Sequence, residues 1–247
     1  YLKADETAVH ALADHLGVPA RFFSAEDLEA ETARLANPSD VIFAEVGCHG
    51  VAEGAALAAV GEDGELLVPK HKSKRATCAV GLNSPGLDLS QMGRKRGSLT
   101  VVGIGPGADE WRTPAVTRAL VEADEVVGYG LYLELIASVI GDKPRYDSHL
   151  SEEEARVRLA FERAAKNLDV VLVSSGDAGI YALATLAFEL LDRENDPAWN
   201  RLDIRVEPGV SAIQAAAARL GAPIGHDFCT VSLSDLLTSW EVIENRL

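Results

Sequence analysis

Short apolar strands alternate with helical segments through residues 98–247, and this alternation restricts the folds open to the chain. Residues 99–102 and 170–173 are continuous apolar runs, typical of strands buried on both faces of a sheet. A helix is predicted between them from Thr113, a capping residue, and Pro114, which suits the first helical position. Strands separated by helices form parallel sheets, so this half is predicted to be an α/β domain with helices on both faces of its sheet.

The same signals predict the remaining elements. In the second half we predict strands at 125–127, 203–206 and 230–233, helices at 113–123, 131–140, 180–191 and 211–220, and a helix opened by a capping box at Ser151 and Glu154. In the first half we predict helices after Asp5, after Ser24 and at 51–60, and strands at 21–23, 66–68 and 76–80. The helix after Asp5 carries Val9, Leu12 and Leu16 on one face and stops at Gly17.

A stretch containing glycine and proline, without an apolar period, separates the two halves. We therefore predict one domain at 1–81, a linker at 82–97 and a second domain at 98–247. Residues 1–97 carry 10 basic and 14 acidic side chains, and residues 98–247 carry 13 and 24, for a net charge of −15 over the chain. This acidity argues against a nucleic-acid partner. No apolar run is long enough to predict a membrane span.

The cysteines indicate a reducing compartment. Cys48, Cys78 and Cys229 are odd in number, far apart and never in a CxxC pair. They predict buried free thiols in a cytoplasmic protein, with neither a disulfide framework nor a metal site.

Three predicted strand ends carry glycine or small polar residues. They are the segments 103–107, 174–181 and 208–212. In open α/β sheets, ligands bind beyond the carboxyl ends of the strands, and glycine there lets backbone approach a ligand closely. We therefore expect the three loops to form one ligand cleft.

The first loop formally satisfies the dinucleotide fingerprint through Gly103, Gly105 and Ala108. In that motif the helix begins inside the glycines, so that its N-terminus meets a pyrophosphate. Here Pro106 interrupts the loop and the helix start at Thr113 comes later. These features disfavour a nicotinamide dinucleotide and favour a ligand without phosphate.

Two side chains of the second loop keep alternative interpretations. Asp177 is either a helix N-cap or a partner for hydroxyl and amino groups of a ligand. The Tyr181 side chain either packs in the core or on a helix surface, or forms with Ile180 the wall of an adenine site.

Together, the three loops resemble motifs of the tetrapyrrole (precorrin) methyltransferases of cobalamin synthesis. With residues 221–228, 232–238 and 240–241 they are most similar to the precorrin-3B C17-methyltransferases. The resemblance covers residues 98–247 and implies the N-terminal, parallel-sheet domain of that family. It implies an enzyme that transfers a methyl group from S-adenosyl-L-methionine (SAM) to C17 of precorrin-3B, or of its cobalt form, with ring contraction, in cobalamin (vitamin B12) biosynthesis.

The resemblance also implies the residues that bind SAM. They are Gly103, Gly105, Pro106, Gly107, Gly176, Asp177, Ile180, Tyr181, Val210, Ser211 and Ala212. Catalytic residues are not identified: Asp109 and His226 are candidates, each with a structural or substrate-orienting role as the alternative. The implied partners are a tetrapyrrole substrate and, in a homodimer, a second copy of the protein.

Motifs of the first half, at 2–6, 22–24, 50–53 and 67–77, resemble the C-terminal domain of the cobalamin-synthesis protein CbiG, also called CobE-like. The basic run 70–75 lies in this part. It is either a solvated surface loop or a site for the carboxylates of a tetrapyrrole. Cys48 and His49 are adjacent in the sequence, and because adjacent side chains rarely point together, a nucleophilic pair is disfavoured.

Compared with these families, the chain is expected to lack the first strand of the CbiG-like domain and the second domain that closes the methyltransferase cleft. We therefore expect half of the cleft and do not expect these residues alone to be active. Two functions of other classes remain alternatives: a non-catalytic tetrapyrrole-binding module of the same pathway, and a nicotinamide-dependent oxidoreductase.

Overall fold

The computed structural model describes residues 3–4, 6–84, 86–88, 92–231 and 240–244, which form a mixed α/β structure. The helices are α1 (Thr7–Leu16), α2 (Ala25–Glu29), α3 (Asp40–Val46), α4 (Val51–Val60), α5 (Pro114–Glu122), α6 (Gly130–Leu135), α7 (Ala137–Ile140), α8 (Glu153–Ala164), α9 (Leu183–Glu194), α10 (Pro197–Asn200), α11 (Ala212–Leu220) and α12 (Trp240–Glu244). The strands are β1 (Arg21–Phe22), β2 (Glu65–Lys72), β3 (Thr77–Leu82), β4 (Arg94–Lys95), β5 (Ser98–Gly103), β6 (Glu125–Tyr129), β7 (Arg145–Ser148), β8 (Asp169–Ser174) and β9 (Asp203–Glu207).

A five-stranded parallel sheet of order β7-β6-β8-β5-β9 forms the second half, as the sequence predicts. Its central strands are apolar because both faces are covered. One face packs against α8 and α9 around Phe161 and Leu190, and the other packs against α5, α6 and α7 around Leu120 and Ile136. The β5, β8 and β9 strands are neighbours, so the loops that follow them meet at one edge of the sheet.

Several predicted boundaries in this half are wrong. The helix predicted at 131–140 is broken at Ile136 into α6 and α7. The capping box at Ser151 does not form, because α8 begins after Glu152 and has no side-chain cap. Strand β7 was not predicted, since its residues are polar and lie at the sheet edge. For the strand predicted at 230–233, Thr230 and Val231 are not in a strand, and 232–233 lie outside the described residues.

The first half contains the predicted helices and a β2–β3 hairpin packed on α4. Ser24 and Asp27 form the predicted capping box of α2, and Gly17 ends α1 in the left-handed conformation. The apolar face predicted for α1 is not buried: Leu12 and Leu16 are 58% and 61% exposed. Within the described residues no single helix is long and apolar enough to cross a membrane, although α3 and α4, bent by 81°, together meet that length and composition.

The cysteine prediction is partly wrong. All three thiols are free, but only Cys48 is buried, whereas Cys78 and Cys229 are exposed.

The end of the predicted linker is attached to both halves. Strand β4 pairs antiparallel with β1, and the Lys95 ammonium lies 2.7 Å from an Asp124 carboxylate oxygen and 2.6 Å from one of Asp169. The Arg96 guanidinium donates to the Arg201 carbonyl at 2.7 Å. Residues 94–96 therefore connect β1 of the first half to the base of the parallel sheet.

A buried carboxylate organises the first half. Glu53, on α4, is 2% exposed and accepts hydrogen bonds from the Lys70 amide at 2.7 Å, the Asn37 amide at 2.9 Å and the Asn37 side-chain nitrogen at 2.7 Å. Burial alone would raise the pKa of Glu53, but these bonds hold it below its ordinary value of 4.5. The ionised Glu53 carboxylate thereby holds β2 against α4 through its hydrogen bond with the Lys70 amide.

A pH dependence of stability follows from the lowered pKa of Glu53. A group whose folded pKa is depressed stabilises the fold above its unfolded pKa and loses that contribution as pH falls through the folded pKa. The Glu53→Gln variant is expected to lower the free energy of unfolding by about 1.5 kcal/mol at pH 7. It should also lose stability less steeply below pH 4.5 than wild type.

Urea unfolding followed by circular dichroism at several pH values measures both effects. The matched control is Glu62→Gln, in an exposed turn before β2. Parallel pH profiles for wild type and Glu53→Gln would contradict the assignment.

Candidate functional site

The three predicted loops come together at the carboxyl ends of β5, β8 and β9. Gly105 and Gly176 form an antiparallel bridge, in which the Gly105 amide donates to the Gly176 carbonyl at 3.1 Å and the Gly176 amide donates to the Gly105 carbonyl at 2.8 Å. The Ile104 amide donates to the Ser174 carbonyl at 2.9 Å. The first two loops are thus joined backbone to backbone.

Glycine is required where the loops cross. A Cβ atom on Gly103 would lie 2.4 Å from the Gly176 carbonyl oxygen, and one on Gly209 would lie 2.1 Å from the same oxygen and 2.3 Å from the Gly103 carbonyl oxygen. Gly209 was not among the predicted site residues. Its signal in the sequence is only a Pro-Gly pair, which equally describes an ordinary turn.

Asp177 links the second loop to the third. One carboxylate oxygen accepts from the Gly179 amide at 2.8 Å, and the other accepts from the Gly209 amide at 3.0 Å. The helix N-cap alternative for Asp177 is wrong, because α9 begins at Leu183 with Ala182 as its N-cap and no side-chain cap bond. The helix therefore starts later than the predicted residue 180.

Ile180 and Tyr181 project from the second loop and are 45% and 67% exposed. Tyr181 has a positive φ of 50°, which is rare for an aromatic residue and is associated with functional loops. Its hydroxyl donates to the Thr230 carbonyl at 3.2 Å, so it contacts the segment that follows α11. Simple core packing does not describe so exposed a side chain.

An open groove of about 670 Å³ lies beside these loops. Ile180, Ile213, Ile224 and Phe228 supply its apolar walls, and Ser211 also lines it. Ser211 caps α11 by accepting from the Gln214 amide at 3.3 Å, so its hydroxyl is engaged in the fold. None of the described residues that line this groove is charged. The apolar walls of the groove therefore suit an apolar or aromatic group.

The first loop does not continue into a helix. Gly105 and Gly107 have φ of 82° and 132°, Pro106 is exposed, and a short 3-10 turn at Asp109–Trp111 precedes α5. The N-terminus of α5, capped by Thr113, is therefore outside the glycine loop, against the dinucleotide alternative.

The other predicted site residues lie partly in the third loop and partly on the exposed surface. Val210 is half-buried beside Gly209, and Ala212 is the first residue of α11. Asp109 is exposed and pairs with the Arg112 guanidinium at 2.7 Å. His226 is exposed and is not among the residues that line the groove. Neither candidate acid or base is held in a buried site.

Cys48 and His49 do not form a nucleophilic pair in the described structure. Cys48 is buried and burial raises the pKa of its thiol. The His49 ring faces Glu29, with Nδ1 2.9 Å from a carboxylate oxygen, and stacks on Phe43. The described residues also include no group of three His, Cys, Asp or Glu side chains arranged to hold a metal ion.

Comparison with known proteins agrees with this geometry. Residues 98–247 match the family model of Tetrapyrrole (Corrin/Porphyrin) Methylases. The chain belongs to the tetrapyrrole methylase family. Residues 1–81 match a second model, Cobalamin synthesis G C-terminus.

Individual relatives of this tetrapyrrole methylase carry more specific names. The chain is 45% identical over 151 residues to a probable cobalt-factor III C(17)-methyltransferase of Salmonella typhimurium, and 44% identical over 152 residues to a precorrin-3B C(17)-methyltransferase of Sinorhizobium. The crystal structure of the methyltransferase CobJ is similar at a TM-score of 0.56 and 43% identity, over 61% of this chain and 62% of that one. The chain covers 60% and 59% of the two named relatives, so it spans less than two thirds of each.

Proposed function

We propose that the chain is part of a SAM-dependent C-methyltransferase that methylates C17 of precorrin-3B, or of its cobalt form, with ring contraction, in cobalamin biosynthesis. The observation that carries the proposal is the meeting of three glycine-containing loops beside an uncharged groove, in a family whose named relatives act at C17. A cytoplasmic location and a homodimer are part of the same proposal.

The residues fit the methyl donor on chemical grounds. Adenosine offers an aromatic face, which Ile180 in the groove and its exposed neighbour Tyr181 can contact, and SAM has no phosphate that would need cations. The close backbone crossing at Gly103 and Gly209 leaves no room for side chains between the loops. When bound, SAM supplies an electrophilic methyl group on a sulfonium.

In the proposed reaction the protein orients SAM and the tetrapyrrole relative to each other and excludes water from the site. The proposed SAM-binding residues are Gly103, Gly105, Pro106, Gly107, Gly176, Asp177, Ile180, Tyr181, Val210, Ser211 and Ala212. Within this set, the Asp177 carboxylate fixes the spacing of two loops, and the glycines give the cleft its floor. We assign no general acid or base, since Asp109 and His226 are both exposed.

We also propose the division into a CbiG-like domain at 1–81, a linker at 82–97 and a methyltransferase domain at 98–247. The two hydrophobic clusters of the second half include no residue before Leu99, and the β2–β3 hairpin packs on α4 of the first half. Both observations concern the described residues and support two separate cores.

Calorimetric titration of the folded, full-length protein with S-adenosylhomocysteine and with NADH tests the proposal. We expect S-adenosylhomocysteine to bind and NADH not to bind. Binding of NADH alone would support the oxidoreductase, whereas binding of a tetrapyrrole without S-adenosylhomocysteine would support the non-catalytic module. The late start of α5 already disfavours NADH.

A further inference from the structure

The tip of the β2–β3 hairpin carries a cluster of cations in an otherwise acidic chain. Lys72, Lys74 and Arg75 are exposed, and no ion pair with a described acidic side chain involves them. Lys70 and His71 precede them on β2. The protein has a net charge of −15, so a surface cluster of cations without paired carboxylates is a local site that attracts anions.

The cations are carried by an ordered turn. The Ser73 hydroxyl accepts from the Arg75 amide at 3.2 Å and the Ala76 amide at 3.0 Å, and the Ser73 amide donates to the Ala76 carbonyl at 2.8 Å. Lys70, at the base of the turn, is held through its amide by the buried Glu53 carboxylate. Because the backbone is fixed at both places, less conformational entropy is lost when the lysine and arginine side chains bind a ligand.

The outer face of the same hairpin carries exposed apolar side chains, together with Glu65, which pairs with Leu82, and His71. Its inner face lies on α4, where a Cβ atom on Gly81 would be 2.7 Å from the Ala56 carbonyl oxygen. On the opposite face Leu67, Val80 and Leu82 are 55%, 41% and 44% exposed. These three side chains form an apolar strip, which the His71–Cys78 pair separates from the cationic turn.

We propose that this hairpin docks a polycarboxylate macrocycle, with the ring on the apolar strip and its peripheral carboxylates on Lys72, Lys74 and Arg75. The inference deepens the proposed function and rests on it, because a tetrapyrrole of this pathway combines a ring with many carboxylates. Charge-assisted hydrogen bonds from Lys and Arg to carboxylates are the strongest polar contacts available to such a ligand.

The range of electrostatic forces favours a compact anion over an extended one. At 0.1 M ionic strength the Debye length is about 10 Å, so a small ligand at the turn is influenced mainly by the local cations. A nucleic acid or an anionic membrane extends past that distance and faces the acidic remainder of the chain, where residues 98–247 carry 24 acidic and 13 basic side chains.

Fluorescence titration of the full chain with uroporphyrin, an octacarboxylate, tests the docking site. The triple variant Lys72→Glu, Lys74→Glu, Arg75→Glu is expected to bind about tenfold more weakly at low salt, since each exposed charge contact contributes a few-fold. Mesoporphyrin, a dicarboxylate, should bind more weakly than uroporphyrin to wild type and be less affected. Replacing Leu67 and Val80 with serine should weaken both porphyrins.

The matched control reverses three exposed cations elsewhere, Arg118→Glu, Arg145→Glu and Lys166→Glu, for the same change in net charge. An equal loss of uroporphyrin affinity in both triple variants would show that net charge, and not the hairpin, determines binding. That result would overturn the proposal. Loss of duplex DNA or phosphatidylserine-vesicle binding in the hairpin variant, with uroporphyrin unaffected, would overturn it in favour of another partner.

S-adenosylhomocysteine titration of the same variants separates this inference from the proposed function. Retained S-adenosylhomocysteine binding together with unchanged uroporphyrin binding in the hairpin variant refutes the docking site alone. Absence of S-adenosylhomocysteine binding in wild type refutes the proposed function, while a specific uroporphyrin loss in the hairpin variant would still support docking. Thermal unfolding of each variant verifies that it is folded.

Discussion

Replacing Gly209 with alanine is expected to lower the free energy of unfolding by about 3 kcal/mol, at the upper end of the cost of overpacking. The new methyl group would lie 2.1 Å from the Gly176 carbonyl oxygen and 2.3 Å from the Gly103 carbonyl oxygen. Both are backbone atoms and cannot rotate away. The loops after β5, β8 and β9 must therefore separate.

The same variant is expected to lose at least about tenfold in affinity for S-adenosylhomocysteine, equivalent to about 1.4 kcal/mol. The reason is geometric, because the three loops can form one cleft only while Gly103, Gly176 and Gly209 remain in contact. Urea unfolding and calorimetric titration measure the two effects separately.

Gly225→Ala is the matched control, since a Cβ atom there meets no heavy atom within 4 Å and Gly225 lies in the segment beside the groove. It should leave stability and affinity unchanged. A Gly209→Ala protein with wild-type stability and wild-type affinity would show that the loops tolerate separation and that the cleft is not built on their contact.

Helices and strands of the second half could be predicted where the local sequence carries the signal for the element that forms. The apolar runs in β5 and β8 are buried on both faces, and Thr113 with Pro114 begins α5 as the sequence indicates. Prediction failed where tertiary contacts decide the outcome. The polar strand β7 forms because it can pair with β6 at the sheet edge, and no periodicity in its own residues requires a strand.

The position of the candidate site could also be predicted, but not its internal contacts. Glycine at three strand ends indicates a cleft, because ligands bind at that edge of a parallel sheet. The hydrogen bond from the Gly209 amide to Asp177 depends on β8 and β9 both pairing with β5, although they are far apart in the chain. Nothing local to Asp177 distinguishes this arrangement from a helix N-cap.

The Asp177→Ala variant is expected to lower the free energy of unfolding by about 2 kcal/mol. It removes the acceptor of two backbone amides, those of Gly179 and Gly209, and leaving a partly buried donor unpaired costs about 1–3 kcal/mol. With the second and third loops no longer tied, affinity for S-adenosylhomocysteine should fall by at least about tenfold.

Asp177→Asn distinguishes a positioning role from direct contact with the ligand. The amide oxygen can still accept one of the two hydrogen bonds, so both losses should be intermediate between wild type and Asp177→Ala. The exposed Asp142, replaced by alanine, is the matched control and should change neither quantity. If Asp177→Asn retains full stability but binds as weakly as Asp177→Ala, the carboxylate charge itself contacts the ligand. In that case the role of Asp177 in spacing the loops is secondary.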